Sequence, residues 1–200
     1  PAEKSTMLVA YSTAHYGLLN AAHLKKGETV LLHSATGGVG HAAIQVARAV
    51  GAEIIATAGT EEKRQYLRDL GLKLVFDSRS LDFEQQILDA TQGTGVDVVL
   101  NFLPDDLFHS SVRLLSSFGR LVEIGKFDIG LNRGLPLGEF DRNLSFISFD
   151  YDNLIKMRRP LAYELADEII ELFRTGTYQP ADYKAYTAKN IRDGFRELAE

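Results

Sequence analysis

The chain of 200 residues has no cysteine and no tryptophan. Without thiols there is no disulfide, no thiolate nucleophile and no cysteine-ligated zinc. The lack fits a reducing, cytoplasmic compartment. No apolar run approaches the roughly 20 residues that cross a bilayer as a helix. The first residues, Pro1-Ala2-Glu3-Lys4, are unlike a signal peptide. Positive charge is also short: the net charge is −5, which argues against nucleic acid or an anionic membrane as partner. The histidines (His15, His23, His33, His41 and His109) show no metal-ligand spacing, so no metal site is expected. His33 and His41 read as packing residues. No serine sits in a nucleophile-elbow context. There is no internal repeat and no low-complexity tract.

What is present is an apolar fraction of 45%, enough for a core, and one informative turn. The run Val30-Leu31-Leu32 enters His33-Ser34-Ala35-Thr36-Gly37-Gly38-Val39-Gly40. Helical spacing follows at Val39, Ala43, Val46 and Ala47. Strand, tight turn and helix in that order, with Ala35-x-Gly37-x-x-Gly40, form a variant of the dinucleotide fingerprint. Glycines there leave room for a phosphate, and the helix start presents N–H groups and a positive dipole end. The alternative is a tight turn that binds nothing.

The rhythm continues along the chain. A helical segment is expected from Thr6 to Leu24, with Met7, Ala10, Ala14, Leu18 and Ala22 on one face. Strands are expected at 53–58, 74–77, 96–101 and 120–124. Helices are expected between them, one capped by Thr60 and one by Ser80. Strands alternating with helices through short turns give a doubly wound parallel α/β sheet, the Rossmann fold. Residues 127–143 read as a loop, Leu144–Tyr151 as a late strand and Leu161–Arg174 as an amphipathic helix. Residues 177–187 read as irregular. The start at Pro1 and the stop inside a helical pattern suggest a piece of a longer polypeptide. Residues 1–27 form its leading helix, 28–152 the core, and 153–200 a closing helix and return.

In such sheets ligands bind at the carboxyl ends of the strands. Thr57, near the end of the second strand, is a candidate cofactor contact, and after that strand, at Ala58-Gly59-Thr60, the acid that would bind the ribose of NAD is missing. Lys63 and Arg64 follow, with Arg79 after the third strand. Cations there suit a 2′-phosphate, so NADPH is expected; the alternative is a solvated helix face. Asn101 and Leu103 end the fourth strand near the expected nicotinamide. The Asn101 amide either orients the ring carboxamide or serves its own turn. Lys126, after Gly125, can supply a proton, with Asp128, Asp150 and Asp152 as candidate partners; the alternative is a structural ion pair.

The run Val30 to Gln45 resembles medium-chain dehydrogenase/reductases of the quinone-reductase branch. Gly119-Arg120-Leu121-Val122-Glu123-Ile124-Gly125-Lys126-Phe127-Asp128, with Val99 to Leu103, is similar to enoyl reductase domains of polyketide synthases and animal-type fatty acid synthases. The resemblance implies a zinc-free reductase that uses NADPH on the α,β-double bond of an enoyl thioester carried by an acyl carrier protein. It implies Lys126 and either Asp150 or Asp152 as proton donors, and Thr13-Ala14-His15-Tyr16 lining the nicotinamide pocket. It also implies a separate substrate domain and other synthase domains as partners. The exposed edge of an open sheet invites pairing, and the late strand Leu144–Tyr151 is apolar enough, so a homodimer is expected. A stand-alone quinone or alkenal reductase and a non-catalytic nucleotide-sensing or dimerisation module are the competing readings.

Overall fold

The computed structural model describes residues 2–180 and 186–199, with side chains from 7 to 196 within them. Six parallel strands form one sheet: β1 (Thr29–Leu32), β2 (Glu53–Ala58), β3 (Leu74–Asp77), β4 (Val96–Asn101), β5 (Leu115–Glu123) and β6 (Ser145–Ser148). Their order is β3-β2-β1-β4-β5-β6. The order reverses between β1 and β4, the switch point at whose carboxyl ends sheets of this topology bind their ligands.

The strands are apolar on both faces because both faces are covered. Val30 and Leu32 point into one core while Leu31 points into the other, and Val98 and Leu100 alternate in the same way with Val99. The first core is closed by α1 (Ala2–His15), α2 (Gly38–Val50), α3 (Glu61–Asp69), α7 (Tyr151–Met157) and α8 (Arg159–Arg174). The second is closed by α4 (Asp82–Ala90) and α5 (Asp105–Arg113), through Phe83, Ile87, Phe108 and Val112. Helix α1 buries Met7, Tyr11 and Ala14 and continues as a π-helical turn, Tyr16–Ala21. A last helix, α9, spans Ile191–Ala199. Chain reversals before β1, β2, β3 and β4 use Gly27, Gly51, Gly71 and Gly95, each at positive φ, where a side chain would be strained.

Several expectations change. Residues 127–143 are not only loop. They hold a single turn of helix, α6 (Phe127–Gly130), and a 3-10 turn, Leu137–Arg142, because local carbonyls such as those of Lys126 and Pro136 find donors three or four residues on. Strand β5 starts at Leu115 rather than Arg120, with a shift of register against β4. The late strand ends at Ser148, since Asp150 caps α7 and turns Tyr151 into a helix. The Thr60 hydroxyl caps α3 by accepting from the Lys63 N–H, and Ser80 accepts from the Asp82 N–H at the start of α4. Part of the irregular segment, 181–185, lies outside the described residues. Among the described residues, no helix is long and apolar enough to cross a membrane.

Candidate dinucleotide site and proton-donor pair

The turn from β1 to α2 keeps three glycines for different reasons. A Cβ on Gly40 would lie 2.5 Å from the Ser34 carbonyl oxygen and 2.6 Å from Ala35 Cα, so close helix–strand packing excludes any side chain there. Gly38 faces no such limit, its nearest neighbour lying 3.8 Å away, and a Cβ on Gly37 would be only slightly tight, 3.3 Å from the Ser34 carbonyl oxygen. Packing does not demand those two glycines, and the space they leave faces solvent. Helix α2 has no side-chain cap and no acid in its first turn. Its open N–H groups and dipole therefore remain available to an anion. Ala35 is buried with its N–H on the Thr57 carbonyl; Thr36 and Val39 are half-buried. These residues fit a dinucleotide's pyrophosphate.

At the end of β2 the three cations differ. Arg64 is spent inside the protein, on Glu61 at 2.9 Å, Asp77 at 3.0 Å and the Ala58 carbonyl at 3.1 Å. Arg79 is exposed, and its guanidinium lies over Gly59, with Nε 2.8 Å from where a Cβ would stand. Lys63 is half-buried in the first turn of α3. The position after β2 therefore carries no acid and is overhung by a cation.

Three polar side chains expected near the ligand are engaged elsewhere. The Thr13 hydroxyl donates to the Val9 carbonyl. Thr57 is fully buried and bonds to His33 Nδ1 at 2.9 Å. Asn101 follows the second of its two readings. Its Nδ2 donates to the Leu103 carbonyl and to Glu123 Oε2, and its Oδ1 accepts from the Leu103 N–H. Its amide serves the loop rather than the crevice, and Leu103 is held in place by it. His33 lies fully buried between Thr57 and Ser111. Ser111 donates to the Leu107 carbonyl, so it accepts from His33 Nε2–H, and Nδ1 accepts from Thr57. The ring is neutral; burial pushes its pKa down to about 3.

At the ends of β5 and β6 a lysine and a carboxylate meet. Lys126 Nζ lies 2.6 Å from Asp150 Oδ2. The other oxygen of Asp150 caps α7, accepting from the N–H groups of Asp152 and Asn153. The hydrogen bond to Asp150 holds the Lys126 pKa up, and the same bond holds Asp150 down. Asp152 is exposed and contributes charge at a distance rather than a bond. Asp128 instead accepts from the Asp105 N–H and pairs with Arg133. Tyr16 stacks on Phe149, centroids 4.4 Å apart, placing the end of α1 beside the residue before Asp150.

Sequence reasoning missed Glu123. It is 5% exposed and bonded to Asn101. The signal was in its setting: on a strand covered on both faces, where Leu121 and Val122 are both buried, an acid has no exposed side to take.

The family model described as zinc-binding dehydrogenase matches residues 38–163. Zinc does not fit this chain: it has no cysteine, and the described residues include no group of three or more histidines or carboxylates able to hold a metal. The highly reducing polyketide synthase easB of Emericella nidulans is 38% identical over 98% of this chain and 8% of its own length. The phthioceranic/hydroxyphthioceranic acid synthase of Mycobacterium tuberculosis is 50% identical over 74% of this chain and 7% of its own. The chain thus spans under a tenth of these curated relatives. Among solved structures, the nucleotide-binding subdomain of the enoylreductase domain of PpsC from Mycobacterium tuberculosis superposes with a TM-score of 0.83, is 40% identical, and is matched over 88% of this chain and 98% of that one. The CurK enoyl reductase superposes with a TM-score of 0.88 at 36% identity, over 98% of this chain and 58% of that one. The chain therefore belongs to the medium-chain dehydrogenase/reductase superfamily, in its family of polyketide synthase enoyl reductases, and has the fold of their nucleotide-binding subdomain.

Proposed function

We propose that the chain is the cofactor-binding part of an NADPH-dependent enoyl reductase acting on enoyl thioesters held by an acyl carrier protein. The observation that carries the reading is the Lys126–Asp150 pair at 2.6 Å, at the same carboxyl rim of the sheet as the open glycine turn. The dinucleotide, when bound, supplies a hydride equivalent to the β-carbon of the double bond. The chain's own residues do the rest. Gly37, Gly38 and the first turn of α2 hold the pyrophosphate, and Lys63 and Arg79 take the 2′-phosphate. Gly125 and Leu103 border the nicotinamide end, and Lys126 gives a proton to the α-carbon. Hydride plus proton saturates the C–C bond and leaves the thioester intact. Asp150 orients the ammonium and keeps it charged. In this reading the substrate pocket is completed by a separate substrate domain, and the remaining synthase domains deliver the thioester.

Titration of the chain with NADPH and NADH, followed by nicotinamide fluorescence, tests the cofactor. Arg79→Ala and Lys63→Ala should each weaken NADPH by about tenfold or more, the usual worth of a charged hydrogen bond, and leave NADH unchanged. Arg64→Ala should lower the melting temperature with no preference between the two. Equal losses for both dinucleotides would remove the 2′-phosphate role, and no binding of either would sink the reading.

A further inference from the structure

Glu123 ends β5 in register with Asn101, which ends β4. Its Oε2 accepts from Asn101 Nδ2 at 2.5 Å. Its other oxygen, Oε1, is packed against Gly125, whose backbone N–H favours the charged carboxylate. A Cβ at Gly125 would lie 2.5 Å from Oε1, so a side chain there would displace the carboxylate from this position. Asn101 in turn grips both backbone groups of Leu103. One polar chain therefore runs from Leu103 through Asn101 and Glu123 to Gly125, the residue before Lys126. It joins the two loops that border the proposed nicotinamide end.

We infer that Glu123 is a positioning residue: its two carboxylate oxygens tie the loop after β4 to the loop after β5 and so hold Leu103 and Lys126 at a set separation. Its kinetic consequence rests on the reductase reading above. The tie needs both oxygens as acceptors, which the carboxylate supplies. An oxygen that takes a proton is a weaker acceptor for the N–H it faces, so the tie loosens when Glu123 is neutral. Burial pushes the Glu123 pKa up to about 7, against the Asn101 and Gly125 bonds, and the Asp128 charge adds to the rise. The carboxyl borders a cavity of about 250 Å³ that also carries Asp105 and His109 from α5, Asp128 from α6, and Arg133. Arg133 pairs with both Asp105 and Asp128. Lys126, whose pKa is held up by Asp150, stays charged through this range and does not itself titrate near neutrality.

Four measurements test it. In the 200-residue chain, the Gly125 amide resonance should follow one titration with a midpoint near 7. Glu123→Gln, which can accept at only one atom, should abolish that titration. Asp128→Asn, which removes a negative neighbour, should move the midpoint to lower pH. A Gly125 amide that does not titrate near neutrality, or one that titrates unchanged in E123Q, overturns the inference. In the reductase with its substrate-binding part present, turnover of an enoyl thioester should fall about tenfold from pH 8 to pH 6, the scale of one lost positioning bond. E123Q should sit at the lower value at both pH values, with NADPH affinity within about twofold of the parent, since the pyrophosphate is held elsewhere. E123Q should also melt higher than the parent at pH 8, because it no longer buries a charge. Slower turnover with a higher melting temperature is not what a merely structural role would give. E123Q turning over like the parent at pH 8 overturns the inference. A parent that oxidises no NADPH sinks the reductase reading instead, and the amide titration then decides the tie by itself.

Discussion

Asp150 divides its two oxygens between Lys126 and the first turn of α7: one lies 2.6 Å from the ammonium, the other accepts from Asp152 and Asn153. The candidate proton donor is thereby aligned by a group whose own orientation is fixed by a helix. A carboxylate anchored at one oxygen loses little further freedom when the other takes up a lysine, which is why the pair forms although Lys126 is 64% exposed.

That division separates two kinds of variant. Asp150→Asn should keep a side-chain acceptor for α7 and lose the charge beside Lys126. Asp150→Ala should lose both, and the missing cap should cost about 1 kcal/mol of stability. Thermal melts of the two variants, with turnover at one pH, are the check. Lys126→Ala should lower turnover strongly while NADPH affinity stays near the parent's. A fully active K126A would remove the lysine from the reaction. The Asp150 pKa is lowered, so its contribution to stability is present above the unfolded carboxyl pKa and is lost as pH falls through the folded one.

The glycine turn predicts two opposite outcomes. Gly40→Ala places a methyl group 2.5 Å from a backbone oxygen, and the backbone cannot yield cheaply. The expected cost is about 1–3 kcal/mol or more, read as a lower melting temperature with or without ligand. Gly38→Ala meets nothing nearer than Ala10 Cβ at 3.8 Å. It should melt like the parent and bind either dinucleotide more weakly, because the methyl group stands where phosphate oxygens approach. Calorimetry with and without NADPH separates the two.

His33 predicts a pH dependence of stability. Its folded pKa, about 3, lies below the unfolded value of about 6.5. The unfolded chain therefore binds the proton first, and stability falls as pH drops from about 6.5 toward 3. His33→Gln, which can still accept from Thr57 and donate to Ser111, should flatten this part of a melting-temperature profile. An unchanged slope would assign the loss to other groups.

Most of the sheet was legible in the residues. Strands 53–58, 74–77 and 96–101 have the bounds expected, because β-branched and apolar runs sit between glycine turns and helix caps with little room to slide. The turn at Ala35 to Gly40 was legible for the same reason. Leu144–Tyr151 was harder: an apolar run reads as strand to its end, and only Asp150 as a helix cap reveals that Tyr151 turns away. Arg64 and Arg79 look alike as cations after strands. What separates them is Asp77, which reaches Arg64 across the end of β3, a relation between elements that local pattern does not carry. Asn101 and Glu123 were opaque individually because each is explained by the other, across adjacent strands, 22 residues apart.

All six strands run the same way, so the groups assigned to binding and proton transfer collect at one rim. The opposite rim is built from turns at Gly27, Gly51, Gly71 and Gly95, and Gly27 has nothing within 4 Å of a Cβ position. That rim is the place for attachment. A fluorophore or affinity handle fixed beside Gly27 would report on dinucleotide binding across the thickness of the sheet without standing in the ligand's way.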